Sequence, residues 1–147
     1  VVDALGSAGF GPTLLDTHAL AWRVAGDERL HSAARRRIEA AAEEQRLWVS
    51  AITPWEIGML VAKGRLMPDR DVMDWLQAAL DLPGIRLATL EPALAVASTR
   101  LPGELHGDPA DRLIVATARH LGATLVTADA ALLAYGRRGH VKVMPAR

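Results

Sequence analysis

Four carboxylates, Asp16, Glu56, Asp111 and Asp129, stand where short apolar runs give way to polar, helix-opening residues, and Asp108 lies close to the third. Asp16 ends the run Leu14-Leu15, Glu56 lies in the first turn after Leu47-Trp48-Val49-Ser50, Asp111 opens a long late helix, and Asp129 follows Leu125-Val126-Thr127. Singly, each has a structural explanation: Glu56 completes a capping box with Thr53, Asp108 is a good N-cap, and Asp111 and Asp129 oppose a helix dipole. Convergence changes the weighing. Two carboxylates about 5 Å apart repel by about 3 kcal/mol at an effective dielectric of 20, so a cluster needs either a cation or raised pKa values. Oxygen-only donors, with no cysteine and no histidine pair at ligand spacing, favour Mg²⁺ or Mn²⁺ over zinc. The chemistry such ions suit is hydrolysis of phosphodiesters.

The elements that must position these acids alternate. Pro12 to Leu15 reads as a strand running into a helix over 17–25, followed by a helix over 32–45 and a strand over 47–50. Thr53-Pro54-Trp55-Glu56 opens a helix to about Lys63, with Thr53 expected as N-cap. Further helices are expected over 71–80, 91–101, 108–121 and 129–135, and further strands over 85–89, 123–127 and 141–144. Short apolar strands alternating with helices make a parallel sheet covered on both faces, and in such sheets ligands gather outside the carboxyl ends of the strands. Residues 1–11, with Gly6, Ser7, Gly9 and Gly11, read as a flexible or vector-derived lead, and residues 12–147 as a single domain.

Composition narrows the function. A chain of 147 residues with half its residues hydrophobic suits one well-buried core. Seventeen Lys+Arg against seventeen Asp+Glu leave no whole-molecule basic field for a nucleic acid, so phosphate binding must be local or metal-mediated. The absence of cysteine excludes thiolate zinc sites, iron–sulfur centres and a cysteine nucleophile. No apolar run approaches the roughly 18 to 20 residues that span a bilayer, so no membrane partner and a cytoplasmic location are expected. Glycine-rich phosphate loops, dinucleotide fingerprints and the GxSxG elbow are all missing.

The blocks Leu14-Leu15-Asp16-Thr17-His18-Ala19-Leu20-Ala21-Trp22, Ser50-Ala51-Ile52-Thr53-Pro54-Trp55-Glu56-Ile57, His106-Gly107-Asp108-Pro109-Ala110-Asp111-Arg112-Leu113 and Thr124-Leu125-Val126-Thr127-Ala128-Asp129 occur in this order, and together they make the chain resemble the PIN-domain ribonucleases, more closely the VapC toxins of toxin–antitoxin pairs. The resemblance implies a three-layer α/β/α sandwich with a parallel sheet. It implies an Mg²⁺- or Mn²⁺-dependent endoribonuclease held inactive by a cognate antitoxin, acting on RNA and commonly dimeric. Asp16, Glu56 and Asp111 match the family's core acids, Asp129 its less constant fourth and Asp108 an accessory acid. Thr127 matches a hydroxyl that bonds the acidic cluster.

Other residues carry weaker signals. Arg112 could contact a substrate phosphate or pair with a neighbouring carboxylate. Arg35, Arg36, Arg37, Arg137 and Arg138 could supply local basic surface, although charge runs are usually solvated faces. His18 and His106 flank candidate acids. Trp22, Trp48, Trp55 and Trp75 read as core or groove-lining rather than base-stacking residues, and the Trp75 stripe as core or an antitoxin-docking face. Two rival functions are an Mg²⁺-binding phosphoacceptor domain, with Thr127 and a mid-strand Lys142 completing its site, and an inert partner-binding module.

Overall fold

The computed structural model describes residues 10–147. Most of the lead expected over residues 1–11 therefore lies outside the described residues. Five strands, β1 (Thr13–Leu15), β2 (Leu47–Ser50), β3 (Ile85–Ala88), β4 (Thr124–Thr127) and β5 (Lys142–Pro145), form one sheet in the order β3-β2-β1-β4-β5. Every pairing is parallel, with Leu15 opposite Val49 on one side and Val126 on the other. The helices between them are α1 (Thr17–Ala25), α2 (Ser32–Glu43), α3 (Thr53–Ala62), α4 (Val72–Leu80), α5 (Pro92–Ala97), α6 (Pro109–Leu121) and α7 (Ala130–Arg137).

The strand sequences explain the layering. Leu14, Leu15, Leu125 and Val126 are all fully buried, as expected where both sheet faces are covered. Consecutive strand residues point to opposite faces. Leu15 and Val126 accordingly pack with Leu20, Ile38 and Leu47 on one side. Leu14 and Leu125 pack with Ile114, Leu132 and Tyr135 on the other. The result is an α/β/α sandwich. A smaller cluster of Ile57, Trp75, Leu76, Ala79 and Ala21 ties α3 and α4 to α1. It consumes the apolar stripe of α4, so Trp75 is core and not a docking face.

Because β1 is central and its neighbours leave in opposite directions, the crevice at its carboxyl end is the topological switch point of the sheet. Asp16 is the next residue, and its amide continues the ladder by donating to the Val126 carbonyl at 3.0 Å.

Three local expectations change. Helix α2 ends at Glu43 and not at Gln45, because Gln45 adopts φ 58° and the Arg46 amide returns to the Ala41 carbonyl at 2.8 Å, a Schellman closure. Gly84 lies against this turn, where an added Cβ would fall 2.0 Å from the Ala42 carbonyl oxygen. Helix α5 stops at Ala97, and the Ser98 carbonyl is taken by the Arg112 guanidinium at 2.9 Å. The capping box at Thr53 does not form: Ile52 is the N-cap residue and Thr53 is already helical and buried. Glu56 is thereby freed to point across the sheet edge.

Candidate active site

Asp16 is the anchor. As the N-cap of α1 it accepts a hydrogen bond from the Thr17 amide at 2.8 Å through Oδ1, while Oδ2 accepts one from the Thr127 hydroxyl at 2.6 Å. The residue is only 8% exposed. Burial raises its pKa above the ordinary carboxylate range, opposed chiefly by the bonds from Thr127 and Thr17, with the His18 charge lowering it further and that of Asp129 raising it. Thr127, at the end of β4, also accepts a hydrogen bond from the Asp129 amide at 3.0 Å. One hydroxyl thus joins two of the acids through side chain and backbone.

Glu56, one turn into α3, accepts a 2.5 Å hydrogen bond from the Thr17 hydroxyl, and the Thr53 hydroxyl stands 3.5 Å from the same Thr17 oxygen. Its pKa is raised by burial, against the pull of the Thr17 bond, with the charges of Asp16 and Asp108 adding to the rise. Thr17 is therefore a site residue that the sequence reading took only as a helix start. The one available signal was its place directly after Asp16.

Asp108 caps α6 by accepting from the Asp111 amide at 3.1 Å, and its own amide donates to His106 Nδ1 at 3.2 Å. With Nδ1 accepting, the neutral imidazole carries its proton on Nε2, which stands 3.3 Å from Asp111 Oδ2. Asp111 has its pKa pushed up to about 7, first by burial and then by the charges of Asp16, Asp108, Asp129 and Glu56. The electrostatics thus register the four other acids as neighbours of one group. Asp129 caps α7, accepting from the Leu132 amide at 3.0 Å.

All five acids line one cavity of about 710 Å³. Arg29, Lys63, Arg65 and Arg147 line it as well, and sequence reasoning missed all four because they are scattered single cations. The arginines it did single out lie elsewhere. Arg37 donates to the Thr13 hydroxyl, Arg35 to the Asp27 and Leu30 carbonyls, and Arg138 to the Glu104 carbonyl. Arg112 does not line the cavity: it donates to the Ser98, Leu105 and His106 carbonyls, clamping the loop that precedes Asp108. Trp55 lines the cavity, Trp22 and Trp75 are buried, and Trp48 is half-buried beneath Arg86.

The donor set suits a hard divalent ion: it is all oxygen and gathered in one cavity, with an acid whose pKa is raised by burial and then by the charges of the other four. Among the described residues, no three His, Asp or Glu side chains are grouped tightly enough to hold one ion as they stand. Both Asp16 oxygens and one oxygen each of Asp108, Asp129 and Glu56 are occupied by backbone amides or hydroxyls.

The PIN domain family model matches residues 13–137. Over 116 residues the chain is 40% identical to Ribonuclease VapC22 of Mycobacterium tuberculosis, which spans 79% of this chain and 85% of that protein. Among solved structures, VapBC2 from Rickettsia felis bound to a DNA fragment from their promoter matches with a TM-score of 0.67 at 17% identity, covering 92% of this chain and 98% of that one. FitAcB from Neisseria gonorrhoeae matches with a TM-score of 0.62 at 21% identity, covering 90% of this chain and 96% of that one. At such identities the solved structures speak to the fold.

Proposed function

Since the chain belongs to the PIN-domain family and is homologous to the VapC toxins, we propose that it is an endoribonuclease toxin, dependent on Mg²⁺ or Mn²⁺ and inhibited by a cognate antitoxin. The observation that carries this reading is the gathering of Asp16, Glu56, Asp108, Asp111 and Asp129 in one cavity at the switch point of a parallel sheet.

Asp16, Glu56, Asp111 and Asp129 would hold the ion directly or through water, with Asp108 assisting. A divalent ion bound there supplies charge neutralisation at the scissile phosphate and polarisation of the attacking water. The chain's own residues prepare that chemistry. Thr127 and the Thr17 amide fix both Asp16 oxygens, so its orientation is set before any ligand arrives. The Thr17 hydroxyl does the same for Glu56. Asp111, whose pKa is pushed up to about 7, must be free of its proton to act as a ligand. Arg112 positions the loop carrying His106 and Asp108.

In-line attack by water leaves a 5′-phosphate and a 3′-hydroxyl. The test is cleavage of end-labelled structured RNAs by purified protein freed of antitoxin, with Mg²⁺ or Mn²⁺, beside excess EDTA and Asp16→Asn. Discrete cuts lost in both controls are expected. A 2′,3′-cyclic phosphate end, or cleavage that persists in EDTA, would overturn the mechanism. A fold that binds no Mn²⁺ and cuts no RNA is the inert partner-binding module.

The phosphoacceptor alternative finds no support. Its lysine would have to approach the acids, yet Lys142 begins β5 opposite Thr124, at the amino edge of the sheet, whereas Thr127 and the acids stand at the carboxyl edge. A homodimer, implied by the resemblance, belongs to the same proposal and is read from the mass in solution. Among the described residues no helix is long and apolar enough to cross a membrane.

A further inference from the structure

Two features of the acid-lined cavity remain unused by the hydrolytic chemistry. On α3, Trp55 and Met59 line the cavity four residues apart on one helix face, directly beside Glu56, and Lys63, the C-cap residue, lines it four residues further on. Trp55 is 58% exposed, so its indole is spent neither on the core nor on a protein partner within the chain. Trp22 behaves in the opposite way: it is buried, with the Arg29 guanidinium 5.0 Å and the Arg147 guanidinium 5.6 Å from its ring. These cation–π contacts hold two guanidiniums at the rim of the same cavity, of which Arg29 is already paired with Asp27 at 2.7 Å.

An occupant has to answer acids, cations and a flat apolar face at once. A single-stranded polynucleotide does so: phosphates meet the rim cations and the ion-loaded acids, and a base meets the indole. We propose that Trp55 is a nucleobase-stacking residue, taking the face of an unpaired base next to the phosphate held at the acids, with Arg147 on a neighbouring phosphate. This rests on the ribonuclease reading of the cavity and adds the form of the substrate. Stacking on one indole accepts any base and prefers the larger purine face, so Trp55 selects for an unstacked strand over a duplex more than for a sequence. Trp55 positions the strand, while the acids carry the chemistry.

The test measures the binding of fluorescently labelled oligoadenylate of about ten nucleotides and of an abasic ribose-phosphate strand of equal length, with Ca²⁺ and separately with EDTA. Trp55→Ala should weaken oligoadenylate binding roughly 5- to 100-fold without a matching loss on the abasic strand, and Trp55→Phe should recover most of the affinity. Equal losses on both strands, or none on oligoadenylate, overturn the proposal. So does a Trp55→Ala protein that loses a protein partner while its oligoadenylate affinity stands. The two readings fail separately: RNA cleavage with no dependence on Trp55 overturns stacking alone, whereas base-dependent binding without cleavage in Mg²⁺ or Mn²⁺ overturns hydrolysis and leaves stacking in place.

Discussion

Asp16 and Asp111 line the same cavity, and both belong to helix N-termini, yet the chain treats them differently. Asp16 is buried and bonded at both oxygens by Thr17 and Thr127, so its geometry is fixed by the sheet edge. Asp111 shows no comparable pair of bonds; its carboxylate stands 3.3 Å from His106 Nε2, and its proton affinity is set by burial and four surrounding charges. One acid is held by hydrogen bonds, the other is governed by its field. Removing the first should abolish function through lost geometry and ligand charge, whereas changing the second should act through pH.

The strongest way to break that contrast is Asp16→Asn. The amide keeps the shape and can still accept from Thr17, but loses the ligand charge. RNA cleavage should fall on the order of 10²- to 10³-fold with the fold retained, as read by initial rates beside far-ultraviolet circular dichroism. A loss no larger than that of a surface carboxylate such as Asp74→Asn would remove Asp16 from its anchoring role.

Thr127→Val comes next, since it leaves Asp16 in place and deletes its orienting bond. Mn²⁺ affinity by titration should drop about 10- to 100-fold, the usual size for an orienting partner of a ligand, and Thr127→Ser should restore it. A valine variant that binds Mn²⁺ normally would make Thr127 a packing residue. The serine rescue separates the hydroxyl from side-chain volume.

How far these roles were legible in the sequence follows the same divide. Asp108 acts as the cap its spacing predicts, because capping is local and needs only the next few amides; Asp16 and Asp129, read as standing at helix starts, prove to be caps as well. Leu14-Leu15 and Leu125-Val126 announced buried parallel strands for a similar reason: their pattern is complete within each strand. Thr17 holding Glu56 was not legible, for the two lie 39 positions apart and the local capping box gave Glu56 a competing partner. Arg29, Lys63, Arg65 and Arg147 were missed because no sequence window contains all of them. The Arg112 clamp was not legible because its partners are backbone carbonyls, which no side-chain pattern announces.

The Asp111 side of the contrast is sharpened by pH. Protons compete with metal at a carboxyl whose pKa is about 7, so Mn²⁺ affinity should rise roughly tenfold between pH 6 and pH 8, then level off. In Asp111→Asn the affinity should be weaker throughout and much of that slope should disappear. A wild-type titration flat across this window would mean that Asp111 is already ionised at pH 6, and that its neighbours' charges are screened.

The smallest expected effect is on stability, and its sign runs opposite to intuition about losing a charged residue. Asp111 holds a proton more tightly folded than unfolded, where its pKa is near 3.8. Its contribution to stability is therefore fully present below about pH 4 and is lost as pH rises through about 7. At pH 8 the metal-free protein keeps an ionised Asp111 among four other acids, a cost that Asp111→Asn removes. After screening by water and counterions the gain should be about 1 kcal/mol, or roughly 2–4 °C in Tm for a chain of this size. Melts in EDTA should show the variant above wild type at pH 8, the advantage smaller at pH 5, and gone only below about pH 4, where Asp111 is protonated in both the folded and the unfolded chain. Saturating Mn²⁺ at pH 8 should reverse the order, because the ion stabilises only the chain that binds it well. An Asp111→Asn variant less stable than wild type in EDTA at pH 8 would show that Asp111 is held by hydrogen bonds as Asp16 is, and the two acids would then differ only in place.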